Sequence, residues 1–337
     1  MTDQLNVNPG HGKSGRQPTR QFLDTLRENV DPGMFGRMFP NLPPHKTSDA
    51  ALVALAESMK DANSADPAGN NLKVPAGFTY LGQFVDHDIT LDLTSTKEKI
   101  EDPNATENFR TPALDLDSVY GRGPDGSPHL YARNADFGNQ PGPKLLIGTT
   151  VQGFRDLGNV PVGLRNDLPR SPEGQALVGD HRNDENLVVA QTHLAFLKFH
   201  NKVVDRLAGS SKASPELFPE ARRIVTWHYQ WMVLHDFVER LTENGIVAQI
   251  LHEGRKFYRF NRVPYMPVEF SAAAYRMGHS MVREAYSHNR IFTFGAIPAT
   301  LQLLFEFSGL SGGIVGNLAP NPLTGPTPIS LLPGNWI

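Results

Sequence analysis

Gly82-Gln83-Phe84-Val85-Asp86-His87-Asp88 is the stretch on which the reading of this chain turns: one imidazole between two carboxylates, with an amide four residues upstream. A histidine so placed can exchange protons near neutral pH, because its ordinary pKa is about 6.5. The same trio also suits a solvated turn, so the neighbouring segments have to decide. Downstream, Thr111-Pro112-Ala113-Leu114-Asp115-Leu116-Asp117-Ser118-Val119-Tyr120-Gly121 repeats oxygen-bearing groups at alternate positions. In an extended chain alternate residues share a face, so Thr111, the Ala113 carbonyl, Asp115 and Asp117 can converge on one hard cation. An acidic surface loop has the same composition. Further on, Gly179-Asp180-His181-Arg182-Asn183-Asp184-Glu185-Asn186 leads into a helical pattern that reaches His200-Asn201. Taken alone, it also reads as an ordinary capped helix start with an exposed arginine.

Composition bounds what these segments can do. With 337 residues, 39% hydrophobic and 20% charged, the chain can bury a sizeable core as one large domain or two ordinary ones. The charge balance is 32 basic to 35 acidic residues, net -3, which implies no bulk attraction to nucleic acid or anionic membrane. There is no cysteine. That removes disulfides and thiolate ligation together, so a cofactor must be held by histidine, carboxylate, amide or backbone groups. The polar N-terminus predicts a flexible arm over residues 1–20, followed by one domain over 21–337. It has no apolar centre for a conventional secretory signal. No stretch is long and apolar enough to span a membrane. Without a signal or cysteine, the expected compartment is the cytoplasm, or the outside by an unconventional route. Gly12-Lys13-Ser14 lacks the upstream glycine and preceding strand of a phosphate loop.

Apolar periodicity predicts helices over residues 47–61, 187–207, 219–241 and 268–286. The second would be capped by Asn183 or Asp184, and Pro219 would sit in the first turn of the third. In the third, Ile224, Trp227, His228, Trp231, His235 and Val238 form the predicted inward stripe. His193, His200, His228 and His235 read as core or interface residues rather than metal ligands, and Trp227 and Trp231 as core aromatics. Strand signals are sparse, and residues 94–182 read as a long proline-rich loop region.

Read together and in this order, the three segments resemble the animal haem peroxidase superfamily. The pattern is Gly-Gln-x-x-Asp-His-Asp, then Thr…Asp-x-Asp…Val-Tyr-Gly, then Gly-Asp-x-Arg-x-x-Glu-Asn before a helix ending in His-Asn. Tyr275-Arg276-Met277-Gly278-His279-Ser280 is similar to that family's Arg-x-Gly-His segment. The resemblance implies a mainly α helical fold with long loops and very little β. It implies a haem peroxidase that reduces hydrogen peroxide at the expense of a small organic donor or a halide. His87 would be the distal proton shuttle, Arg182 would stabilise charge as the O–O bond breaks, and Gln83 would order water or an anion beside them. His279 would ligate the haem iron, with Arg276 near a propionate.

The resemblance further implies haem b, with Asp86 and Glu185 where relatives esterify haem methyl groups. It also implies Ca2+ held by Asp88, Thr111, the Ala113 carbonyl, Asp115 and Asp117. Asp88 adjoins His87, so an ion gripping one would steady the other. Two departures stand out. Arg276 occupies the position, three before the proximal histidine, where the cyclooxygenase branch has a radical-forming tyrosine; neighbouring Tyr275 keeps a fatty-acid dioxygenase as an alternative. Residues 329–337 read as the middle of such a domain, so the asparagine that supports the proximal histidine in relatives is expected to be missing, with neither Asn317 nor Asn335 a clear substitute. A calcium-stabilised binding module that kept the fold without turnover is the third reading.

Overall fold

The computed structural model describes residues 33–43, 45–60, 63, 66, 70–92, 106–134, 138–149, 166–172, 174–209, 214–260, 264–288, 292, 294–295, 298–306 and 308. The predicted N-terminal arm, Asn317, Asn335 and residues 329–337 lie outside them.

The architecture is mainly helical. Six helices are numbered here: α1 (Asp49–Ser58), α2 (Gly77–Ile89), α3 (Leu187–Ala208), α4 (Ser214–Met232), α5 (Ile246–Glu253) and α6 (Leu301–Glu306), with single turns between them. Among the described residues, strand is confined to short two-stranded pairings. These are β1 (Phe35–Gly36) parallel to β6 (Met266–Pro267), and three antiparallel pairs: β2 (Tyr131–Asn134) with β3 (Gln140–Leu145), β4 (Gly148–Thr149) with β5 (Asn166–Asp167), and β7 (Ala285–Tyr286) with β8 (Ala299–Thr300). The region expected to be loop over 94–182 therefore carries a hairpin and a second small pairing in its described parts.

Helices α2, α3 and α4 meet in one core. Phe84 of α2 stacks on Phe196 of α3 at 5.0 Å, and Tyr229 of α4 closes edge-on against both. α2 is unusual in burying Asp86, His87 and Asp88 in succession as well as Phe84, Val85 and Ile89. Successive helical residues point about 100° apart, so three buried in a row require protein on nearly every side of this turn.

α3 forms where the periodicity predicts it, and Val189, His193, Leu197, His200 and Val204 are buried on one face. Its cap differs from the expectation. Asn186, not Asn183 or Asp184, accepts from the Val189 amide at 3.0 Å. The reason is local: His181–Asp184 forms its own 3-10 turn, capped by the Asp180 carboxylate, and must finish before α3 begins.

α4 starts at Ser214, which places Pro219 inside the helix rather than in its first turn. Its buried stripe is Leu217, Ala221, Val225, Tyr229, Val233 and Phe237. This corrects the predicted register: Trp227 and Trp231 are 57% and 64% exposed, and His228 and His235 are exposed as well. Strict spacing of four drifts around an ordinary α-helix. The wider π turns of Val233–Val238 absorb that drift and keep Phe237 in the core.

The helix expected over 268–286 is broken. Glu269–Ala274 is π-helical, Tyr275–Met281 is a 3-10 helix, the chain turns extended at Val282, and β7 follows. Helices owe most of their stability to a buried face, and across these two turns only Ser271 is buried.

Candidate functional site

His87 is 4% exposed, and its Nδ1 meets the Asn183 side-chain oxygen at 2.8 Å. Burial, reinforced by the nearby Arg182 cation, pulls its pKa down to about 4, so the ring is neutral at physiological pH. Arg182 is fastened beside it. One terminal nitrogen donates to the carbonyls of His87 (3.1 Å) and Thr90 (2.5 Å), and the guanidinium also binds Asp180 through Nε at 3.1 Å and Nη2 at 2.9 Å. Those carbonyls close the C-terminal end of α2, where helix geometry leaves acceptors unpaired.

Gln83, one turn back, ties the 3-10 segment to α2. Its amide nitrogen donates to Glu185 Oε2 at 2.6 Å and its oxygen accepts from Asn186 at 2.8 Å. Asp86 accepts from the Thr90 hydroxyl at 3.0 Å and from Arg276 Nη1 at 3.2 Å. The chain thus brings His87, Gln83, Arg182, Asp86 and Glu185 together at the C-terminal half of α2, and Arg276 joins them across the Asp86 ion pair.

The acidic residues converge behind this group. Oxygens of Asp88, Asp115 and Asp117 lie within 4.8 Å of one another, all buried. They do not converge as an extended strand would bring them: Leu116 turns left-handed at φ 58°, and Asp117 opens the turn Asp117–Tyr120. Thr111 Oγ1 donates to Asp115 at 3.0 Å, the Leu116 amide and Ser118 hydroxyl donate to Asp88, and one Asp117 oxygen is buried with no partner among the described residues. Burial and the neighbouring Asp115 push the Asp88 carboxyl up to about 7, and burial likewise raises Asp117 well above the ordinary carboxylate range.

Arg110, fully buried, reaches Asp117 at 3.3 Å and also pairs with Asp180. Burial pushes Asp180 up, but Arg110 and Arg182 together reverse that and hold it well below the usual range. Gly179 lets this layer close, since a Cβ there would lie 2.5 Å from the Ser118 carbonyl oxygen.

His279 stands apart. It is exposed on the 3-10 turn and lines a groove of about 1340 Å³ with Met59, Thr79, Arg240, Met281 and Tyr286, to which His87 contributes nothing. Its Nδ1 lies 3.2 Å from the Arg276 carbonyl. Tyr275 binds back to α2, donating its hydroxyl to the Gly82 carbonyl at 2.8 Å.

The animal haem peroxidase family matches residues 94–295. The chain belongs to that family. A peroxidase-like protein of Margaritifera margaritifera is 27% identical over 276 residues, covering 67% of this chain and 33% of that protein. The chorion peroxidase of Drosophila melanogaster is 28% identical over 203 residues, 55% of this chain and 23% of that one. Among solved structures, peroxidase A from Dictyostelium discoideum superposes with a TM-score of 0.53 at 15% identity, covering 90% of this chain and 66% of that chain. The chain therefore spans about a quarter to a third of these two curated relatives, and the likeness to solved structures shows the shared helical fold.

His279 carries a donor in the form that the haem implied by family membership needs, although the groove it lines is not shared with His87. A histidine whose Nδ1–H donates to a backbone carbonyl presents an unprotonated Nε2, the form that ligates iron, and His279 has that arrangement. The acidic cluster offers a hard cation several carboxylate oxygens, one of them buried with no partner among the described residues.

Sequence reasoning passed over three residues of the site. Arg110 had no motif of its own, although a lone basic residue beside Thr111 and the acidic repeat is the available signal. Asn183 was read as a cap. His193 was read as core, which it is, but it also contacts Asn183.

Proposed function

We propose that this chain is the peroxide-handling part of a haem peroxidase that reduces hydrogen peroxide and oxidises a small organic donor or a halide. The observation that carries this is a neutral, buried His87 fixed between Asn183 and Arg182, with Gln83 one turn away. Haem b, when bound, supplies the redox chemistry. His87 takes a proton from one peroxide oxygen at Nε2 and returns it to the other, for which a neutral imidazole is the required form. Arg182 opposes the negative charge that develops as the O–O bond breaks, for which a guanidinium nitrogen must turn from the Asp180 carboxylate and the α2 carbonyls that hold it. Gln83 orders water or a small anion beside them. His279 would ligate the iron through Nε2, and the family pattern assigns Arg276 to a propionate, for which it must leave Asp86.

In this reading Ca2+ binds Asp88, Asp115 and Asp117 with Thr111 and the Ala113 carbonyl, and steadies the turn that aims His87. Ester links to haem through Asp86 and Glu185 require each carboxylate to leave its present partner, Arg276 for the first and Gln83 for the second. Tyr275 does not favour the dioxygenase alternative, because its hydroxyl is committed to the Gly82 carbonyl.

Titrating the chain with haem tests the proposal. A saturable Soret band, with peroxide-dependent donor oxidation that disappears in His87→Ala, is the expected result. Absence of haem binding would leave a calcium-stabilised binding module, and oxygen uptake with linoleate in the absence of peroxide would point to the dioxygenase. Denaturing extraction of the haem reports the ester links.

A further inference from the structure

We infer that Asn183 is a positioning residue that sets the tautomer of His87, using one side-chain amide to join two buried imidazoles. The functional meaning rests on the peroxidase reading above; the geometry does not. His87 Nδ1 and Asn183 Oδ1 are 2.8 Å apart, across 96 residues of sequence. Asn183 Nδ2 and His193 Nδ1 are 2.9 Å apart. An amide oxygen only accepts and an amide nitrogen only donates, while a neutral imidazole carries its single hydrogen on one nitrogen. His87 therefore holds its proton on Nδ1 and keeps its lone pair on Nε2, the nitrogen that must act as base. His193 takes the opposite form, accepting at Nδ1 and carrying its hydrogen on Nε2.

The surroundings leave little freedom. Asn183 and His193 are both fully buried, and His193 Nε2 has no partner among the described residues. Phe84 stands edge-on to the His193 ring, 6.2 Å between centroids, so the ring is packed on one side and hydrogen-bonded at one atom. Asn183 lies in the 3-10 turn His181–Asp184, immediately after Arg182. One short turn thus delivers the cation and the tautomer together. An aspartate at 183 would accept from both rings and reverse His193; an apolar residue would release both.

The test is nitrogen NMR of the full chain, haem-free, with 15N-labelled imidazoles, assigning His87 and His193 by loss of their signals in His87→Gln and His193→Gln. His87 should be the Nδ1–H form and His193 the Nε2–H form. Asn183→Asp should leave His87 unchanged and convert His193 to Nδ1–H. Asn183→Leu should shift His87 toward Nε2–H and, in the haem-loaded chain, lower kcat by about tenfold or more, with Asn183→Asp the less damaged variant. An Nε2–H His87 in the unsubstituted chain, or a His193 unmoved by Asn183→Asp, overturns the assignment; if Asn183→Leu does not fold, the aspartate variant alone decides. Tautomers as stated in a chain that never oxidises a donor would sink the peroxidase reading and leave Asn183 in its role.

Discussion

The two histidines that matter most sit in regions of opposite character. His87 is buried in the α2–α3–α4 core, with its Nδ1 held by the Asn183 side chain. His279 lies on a tight turn whose two neighbouring helical segments bury only Ser271, and its ring faces an open groove. The family pattern marks both residues equally well. What differs is how much of each geometry the fold supplies in advance: the surroundings of His87 are set by packing, while those of His279 are set by one carbonyl contact beside an open groove.

Substitutions can break or sharpen this contrast. The largest effect is expected at His87→Ala, which should reduce peroxide-dependent donor oxidation by roughly 10²–10⁴-fold, the usual worth of a positioned acid–base group. Steady-state kinetics on the haem-loaded chain checks this, and an active variant would assign the proton shuttle elsewhere. Next comes Phe84→Ala, which empties the contact between α2, α3 and α4 and should cost about 3–5 kcal/mol, read from denaturant unfolding.

Calcium and pH probe the layer beneath His87. The Asp88 carboxyl is raised from its ordinary 3.8 to about 7 in the folded, ion-free chain. Between those values the folded state holds a proton that the unfolded state has released, so stability falls as pH rises across this window. Bound calcium would offset both the burial of the charge and the repulsion from Asp115. Adding calcium should therefore raise Tm more at pH 8 than at pH 5, and Asp88→Asn should shrink that difference, leaving the share of Asp117, whose carboxyl burial also raises.

The smallest effect is expected at His279→Ala. Its ring is exposed, so the stability of the haem-free chain should change by no more than about 0.5 kcal/mol, while the Soret titration fails. A large loss of stability there would show that the turn is packed more firmly than its exposure implies.

Much of this was legible from residues alone. The convergence of carboxylates was marked by the alternation of Asp115 and Asp117, with Asp88 added by the family resemblance, and helix α3 by its three-and-four spacing. The stripe of α4 was misread because Trp227 and Trp231 look like core by composition, whereas packing against α2 and α3 turns Val225 and Tyr229 inward and the π turns at 233–238 keep Phe237 on that face. The helix expected around His279 failed for a related reason: its apolar residues have spacing but no surface to bury them against.

Local chemistry, then, was determined by the sequence: which groups can donate, accept, titrate or ligate, and the order in which they come. Tertiary structure alone decided which of them meet, because Asn183 and His193 become part of the His87 site only when a turn nearly a hundred residues away is packed against α2. A hydrogen bond is a distance between two atoms, and that distance is set by the core that holds both segments.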